Sequence, residues 1–100
     1  MTMPKSLNDL SSEELKQITD LSALFFTPKE IAKMLELDDT ELTKACKANS
    51  GKVHDAFYGG YLQGQVDLRT GIMKMAKAGS SPAQTMALEL LKQTKLKLLE

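Results

Sequence analysis

Apolar residues recur at three- and four-residue intervals along most of this chain, which is the spacing of one helical face, and no stretch alternates as a half-buried strand would. Start and stop signals divide the pattern into five helices. Ser11 caps the first, with Glu14 closing a capping box. That helix runs to about Leu24 and buries Leu15, Ile18, Leu21 and Phe25. Thr27 caps a second helix, with Pro28 at its first position, Glu30 completing the box, and Phe26 and Ile31 flanking it as a staple. It covers about Pro28 to Glu36, and a third, capped by Asp38 with Glu41, covers about Asp39 to Ala48. After Asn49, Ser50 and Gly51 a long fourth helix runs from about Val53 to Ala78. Gly79 ends it, and a fifth opens at Ser81 with Pro82 in its first turn.

Helices two and three read as a helix-turn-helix. Ile31, Ala32 and Leu35 make one inner face, and Leu42, Ala45 and Cys46 make the other. The small Ala32 sits where the helices cross, and Leu37 plugs the core from the turn. The predicted fold is therefore all-α, an N-terminal three-helix helix-turn-helix unit followed by a long antiparallel helical hairpin. Its divisions are a flexible arm at 1–10, the helix-turn-helix domain at 11–50 and the hairpin at 51–100. The short AGSS connection makes the last two helices turn back on each other.

That hairpin carries more than one apolar stripe, and one partner helix hides only one. Self-association is the expected remedy, through Phe57, Gly60, Tyr61, Gly64, Leu68, Gly71, Ile72, Met75, Leu90 and Leu91. Gly60, Gly64 and Gly71 share a side of helix four, where a second backbone can approach closely, within the hairpin or between copies. The alternative is that Gly59-Gly60 divides helix four into two pieces.

With 100 residues, 42% apolar, the chain can bury one modest core, and it leaves little room for a catalytic cleft of ordinary size. A single cysteine excludes an internal disulfide, and no apolar run is long enough to cross a bilayer or to act as a secretory signal, so the expected location is cytoplasmic and membrane binding is not expected. Thirteen basic and thirteen acidic residues cancel, but unevenly: residues 1 to 50 hold six Lys against nine Asp or Glu, and residues 51 to 100 hold seven Lys or Arg against four. The half with the helix-turn-helix is the acidic one, so one copy should grip DNA weakly and several copies would be needed.

Enzymatic chemistry finds no constellation. Cys46 and His54 lack the spacing and companions of a nucleophile pair or a zinc site, Asp55 and Asp67 stand apart, and the glycines follow no strand and precede no Gly-Lys-Ser or Gly-Lys-Thr. No enzyme, metal or cofactor is expected. Cys46 reads as a core residue.

The candidate DNA-contacting residues are the outward ones. Thr40, Thr43, Lys44 and Lys47 lie away from the inner face of helix three, Lys29 and Lys33 could meet the phosphate backbone, and Asn49 and Lys52 extend the contact. The same residue types also suit any solvated helix face. Asp38, Asp39 and Glu41 read as cap and dipole partners.

The segments AFYGGYLQGQVDLR and MAKAGSSPAQTMALELLK, following a helix-turn-helix, resemble the small terminase subunits of tailed bacteriophages and prophages, over roughly Leu21 to Lys95. The likeness rests on the aromatic-and-glycine segment leading into Leu68-Arg69, the Ala76 to Gly79 turn, and the helix ending in Leu91-Lys92. The resemblance implies a non-enzymatic subunit that recognises viral double-stranded DNA, assembles into a ring, and hands DNA to a large terminase subunit carrying ATPase and nuclease, in a bacterial host cytoplasm. Helix three would face DNA and residues 53 to 99 would form the ring. Members of that family extend past the hairpin into a segment that engages the large subunit, whereas this sequence ends at Glu100, and Glu36 stands where the turn favours Gly. Two alternatives are a small helix-turn-helix regulatory or protein-interaction adaptor of phage or mobile-element origin that does not package DNA, and a dimeric repressor. The C-terminal KQTKLKLLE could serve as a docking helix for a partner.

Overall fold

The computed structural model describes residue 7 and residues 10 to 99. Among these the protein is all-α: α1 (Ser12–Ala23), α2 (Pro28–Leu35), α3 (Asp39–Lys47), α4 (Lys52–Lys77) and α5 (Ser81–Leu98). The capping signals form as expected. Ser11 Oγ accepts from Glu14 N at 3.1 Å while Glu14 Oε1 accepts from Ser11 N at 3.2 Å. Thr27 and Glu30 repeat the reciprocal pair at 3.2 and 3.0 Å, and Asp38 Oδ1 accepts from Glu41 N at 2.8 Å. Each cap satisfies orphan donors at a helix start and contributes about 1 kcal/mol.

The chain divides into two compact units within α4, one through Gln65 and one from Val66. That differs from the boundary near residue 50 expected from the sequence. The reason lies in the first half of α4, which belongs to the core of the first unit. Ile18, Ile31, Ala32, Leu37, Leu42 and Cys46 form that core, and Val53, Ala56 and Phe57 pack against it. Thr19 Oγ1 donates to the Ala56 carbonyl at 3.0 Å. Gly60 and Gly64 are buried against α1: a Cβ at Gly60 would overlap the Thr19 carbonyl oxygen and Ser22 Oγ, and one at Gly64 would overlap the Ala23 carbonyl oxygen. Phe57, Gly60 and Gly64, expected at a contact between copies or, for the glycines, within the hairpin, therefore meet the first unit of their own chain. A Cβ at Gly71 would meet no other part of the described chain, and Gly59-Gly60 does not interrupt α4, which is continuous.

Two helices of the first unit end in left-handed backbone without glycine. Phe25 (φ 67°) follows α1, and Glu36 (φ 58°) ends α2. Both close hydrogen-bonded turns, Phe26 N to Leu21 O at 3.3 Å and Leu37 N to Ala32 O at 2.8 Å. An L-residue in this region costs roughly 1–2 kcal/mol. At Glu36 the turn places Leu37 in the core. Phe25 was expected to be buried on α1, but the helix stops at Ala23 and Phe25 is 43% exposed. Leu7 and Leu10, expected in a flexible arm, pack against the core, as their apolar side chains favour; the rest of that arm lies outside the described residues.

In the second unit α4 ends as its sequence predicts. Gly79 takes φ 101°, Ser80 N donates to Met75 O at 3.1 Å, and Ser80 Oγ caps α5 by accepting from Ala83 N at 3.3 Å. Gln84 Nε2 reaches back to the Ala76 carbonyl at 3.1 Å. Ala83 is buried, whereas Leu68, Met75, Met86, Leu88, Leu91, Leu96 and Leu98 are each more than half exposed.

Candidate nucleic-acid interface

The geometry of α3 follows from its two buried anchors. Leu42 and Cys46, one turn apart, are fully and almost fully buried, so they fix the rotation of the helix about its axis. At 3.6 residues per turn, Thr40, Thr43, Lys44 and Lys47 then fall within an arc of about 100° on the opposite side. Thr40, Lys44 and Lys47 are exposed and Thr43 is half-buried. The structure thus brings these four together. Lys29 and Lys33, one turn apart on α2, are exposed, as are Asn49 and Lys52 beyond the end of α3.

Carboxylates flank the arc. Asp39 and Glu41 lie to either side of it, Asp38 is committed to its cap, and the Thr40 hydroxyl donates to Asp39 Oδ1 at 3.3 Å. From Thr27 to Lys52 there are five lysines (29, 33, 44, 47, 52) and five acids (30, 36, 38, 39, 41). Along α3 the charges are separated: Asp38, Asp39 and Glu41 crowd its N-terminus, where the helix dipole favours them, and Lys44 and Lys47 occupy its last turn. Glu30 is held below the ordinary carboxylate range, chiefly by the Thr27 backbone N–H and then by its hydroxyl, so its charge belongs to the cap.

Cys46 and His54 serve structure. Burial pushes the Cys46 thiol up to about 11, which keeps it protonated and unreactive at neutral pH. His54 Nδ1 lies 3.0 Å from the Cys46 carbonyl and ties the start of α4 to the end of α3. Among the described residues no group of three His, Cys, Asp or Glu side chains could hold a metal ion, and no helix is long and apolar enough to cross a membrane.

The residues expected to mediate self-association divide between the two units. Phe57, Gly60 and Gly64 are used within the first unit, and Tyr61 stacks edge-on with Phe25 at 5.9 Å. Leu68, Gly71, Met75 and Leu91 are exposed, and Ile72 and Leu90 are half-buried. In the second unit Met73 and Ala76 of α4 and Ala87, Leu88 and Leu91 of α5 line an open, almost wholly apolar groove of about 600 Å³. Sequence periodicity marked these stripes; it could not say which of them α1 would cover. Comparison with protein family models, with curated proteins and with solved structures gave no match to this chain.

Proposed function

We propose that the protein is a DNA-recognition subunit that works as an assembly of copies, of the kind used in phage DNA packaging as a small terminase. In this reading α2 and α3 form a helix-turn-helix, α3 presents Thr40, Thr43, Lys44 and Lys47 to the major groove, and Lys29, Lys33, Asn49 and Lys52 meet the phosphate backbone. The last third of α4 and α5 form an antiparallel hairpin whose exposed groove takes a second copy, building a ring. The ring delivers viral DNA to a large subunit carrying ATPase and nuclease in the bacterial cytoplasm, and the chain itself performs no catalysis.

One observation carries the DNA half: four polar residues, two of them lysines, converge on one exposed face of a short helix whose rotation is fixed by Leu42 and Cys46. The assembly half rests on the apolar groove of the second unit and on the exposure of Leu88, at 67%, in its lining. A small domain that leaves such a groove wet is open to association. The charge balance supports the same conclusion, because five acids offset five lysines around α3 and multivalency would have to supply what one copy lacks.

The test combines salt and mass. With three lysine–phosphate contacts per engaged copy, at Lys29, Lys33 and Lys52, duplex affinity measured by fluorescence anisotropy should fall roughly fortyfold between 50 and 200 mM salt. Lys29→Ala and Lys33→Ala should each flatten that dependence by about one unit of slope, whereas Lys44→Ala and Lys47→Ala should relax sequence preference. Native mass spectrometry should find a closed multimer that Leu91→Glu dissociates. Salt-independent or absent duplex binding by an intact multimer would favour the protein-interaction adaptor instead, and a dimer with steep salt dependence would favour a repressor.

A further inference from the structure

All five aromatic residues of the chain, three Phe and two Tyr, converge on one pocket of the first unit. It is half open, about 460 Å³ in volume, and lies where the end of α1 meets the end of α3 and the first half of α4. The rings are ordered among themselves. Phe25 and Tyr61 meet edge to face at 5.9 Å, and Tyr61 meets Tyr58 in the same way at 6.1 Å. Among the described residues Lys47 is the only charged side chain in the lining, which includes no carboxylate.

Phe25 gives this pocket a significance beyond packing. It holds a left-handed backbone that glycine would adopt freely, yet the residue remains 43% exposed, so core burial does not offset the strain. Tyr58 and Tyr61 are likewise 47% and 38% exposed. A residue kept in a costly conformation to present an aromatic wall, opposite two phenols that can donate hydrogen bonds, is the arrangement of a recognition site.

We propose that this pocket binds a small planar aromatic carboxylate, its ring laid against the wall formed by Phe25, Phe57 and Tyr61 and its carboxylate paired with Lys47. The size suits one or two fused rings. The charge selects the sign, because a cation without a neighbouring carboxylate favours an anion and penalises a cationic ligand. Lys47 is also one of the four residues on the outer face of α3, so occupancy would withdraw it from the DNA groove. That regulatory consequence rests on the DNA-binding reading; the pocket does not.

The experiment uses the full chain, with 1-naphthoate and the uncharged 1-naphthalenemethanol as probes. Amide NMR shifts should cluster at residues 25 to 28, 46 to 47 and 57 to 61, with 1-naphthoate binding more tightly than the alcohol. Lys47→Gln should weaken 1-naphthoate about fivefold, as expected for one partly exposed charge pair, and leave the alcohol unchanged. Phe25→Gly, which relieves the strained backbone and so keeps the fold, should abolish binding of both. Equal affinity for the two probes, shifts confined to residues 66 to 99, or no shifts at millimolar probe would overturn the site. Saturating 1-naphthoate should also lower duplex affinity of the natural protein but not of Lys47→Gln. If it binds and duplex affinity does not move, the coupling is refuted and Lys47 is removed from the DNA face, while the pocket stands.

Discussion

Replacing Gly60 by alanine sets two opposed effects in one methyl group. Alanine in a helix interior gains about 0.5–1 kcal/mol over glycine. At Gly60, however, the new Cβ would overlap the Thr19 carbonyl oxygen and Ser22 Oγ and sit 2.8 Å from the Thr19 carbonyl carbon. Ser22 could rotate away, but the Thr19 carbonyl belongs to the backbone of α1. The two helices would have to separate by about an ångström, and overpacking of that kind costs about 1–3 kcal/mol. The Thr19 Oγ1 to Ala56 O hydrogen bond, 3.0 Å long and bridging the same helices, would be stretched, adding about 0.5–1.5 kcal/mol. The net expectation is a loss of about 2 kcal/mol, or a Tm lowered by roughly 8–16 °C for a domain of this size. Gly64→Ala should behave alike, because its Cβ would overlap the Ala23 carbonyl oxygen. Gly59 and Gly71 supply the control in the same helix. Both are open, so alanine there should stabilise by the propensity term alone. Thermal melts followed by circular dichroism at several protein concentrations would separate these effects from association. A Gly60→Ala protein melting at or above Gly59→Ala would refute the close approach of α1 and α4.

Two further expectations concern single residues. Glu36→Gly should raise stability by about 1 kcal/mol, seen as a higher urea midpoint at unchanged slope, because glycine removes the left-handed penalty at φ 58° while keeping the turn that seats Leu37. Cys46 should make stability fall in alkali. Its folded thiol titrates near 11 against an ordinary 9.0, so its contribution is complete below about pH 9 and declines from there towards 11. The difference between the natural protein and Cys46→Ala should therefore shrink over that window, with a limiting slope of about 1.4 kcal/mol per pH unit, and a difference that stays constant with pH would contradict the buried, protonated thiol.

Local signals in the sequence determined the helices and their caps. Ser11 with Glu14, Thr27 with Glu30, Asp38 with Glu41, Gly79 and Pro82 each act within four residues of chain, so one strand of sequence contains both partners of every interaction, and all of them form as read. The outer face of α3 was legible for the same reason, since Leu42 and Cys46 fix its rotation by spacing alone. What only the tertiary structure decided were contacts between residues far apart in sequence. Periodicity marked Phe57, Gly60 and Gly64 as a contact stripe, but whether α1, α5 or another copy covered them depended on how helices separated by tens of residues pack. The left-handed turn at Phe25 was hidden because nothing in its residue type announces it, and with it the gathering of five aromatics on one pocket. Helix formation is a local balance of caps and propensities; the choice of neighbour is made by shape and burial across the whole chain, and that choice moved the boundary between the two units into the middle of α4.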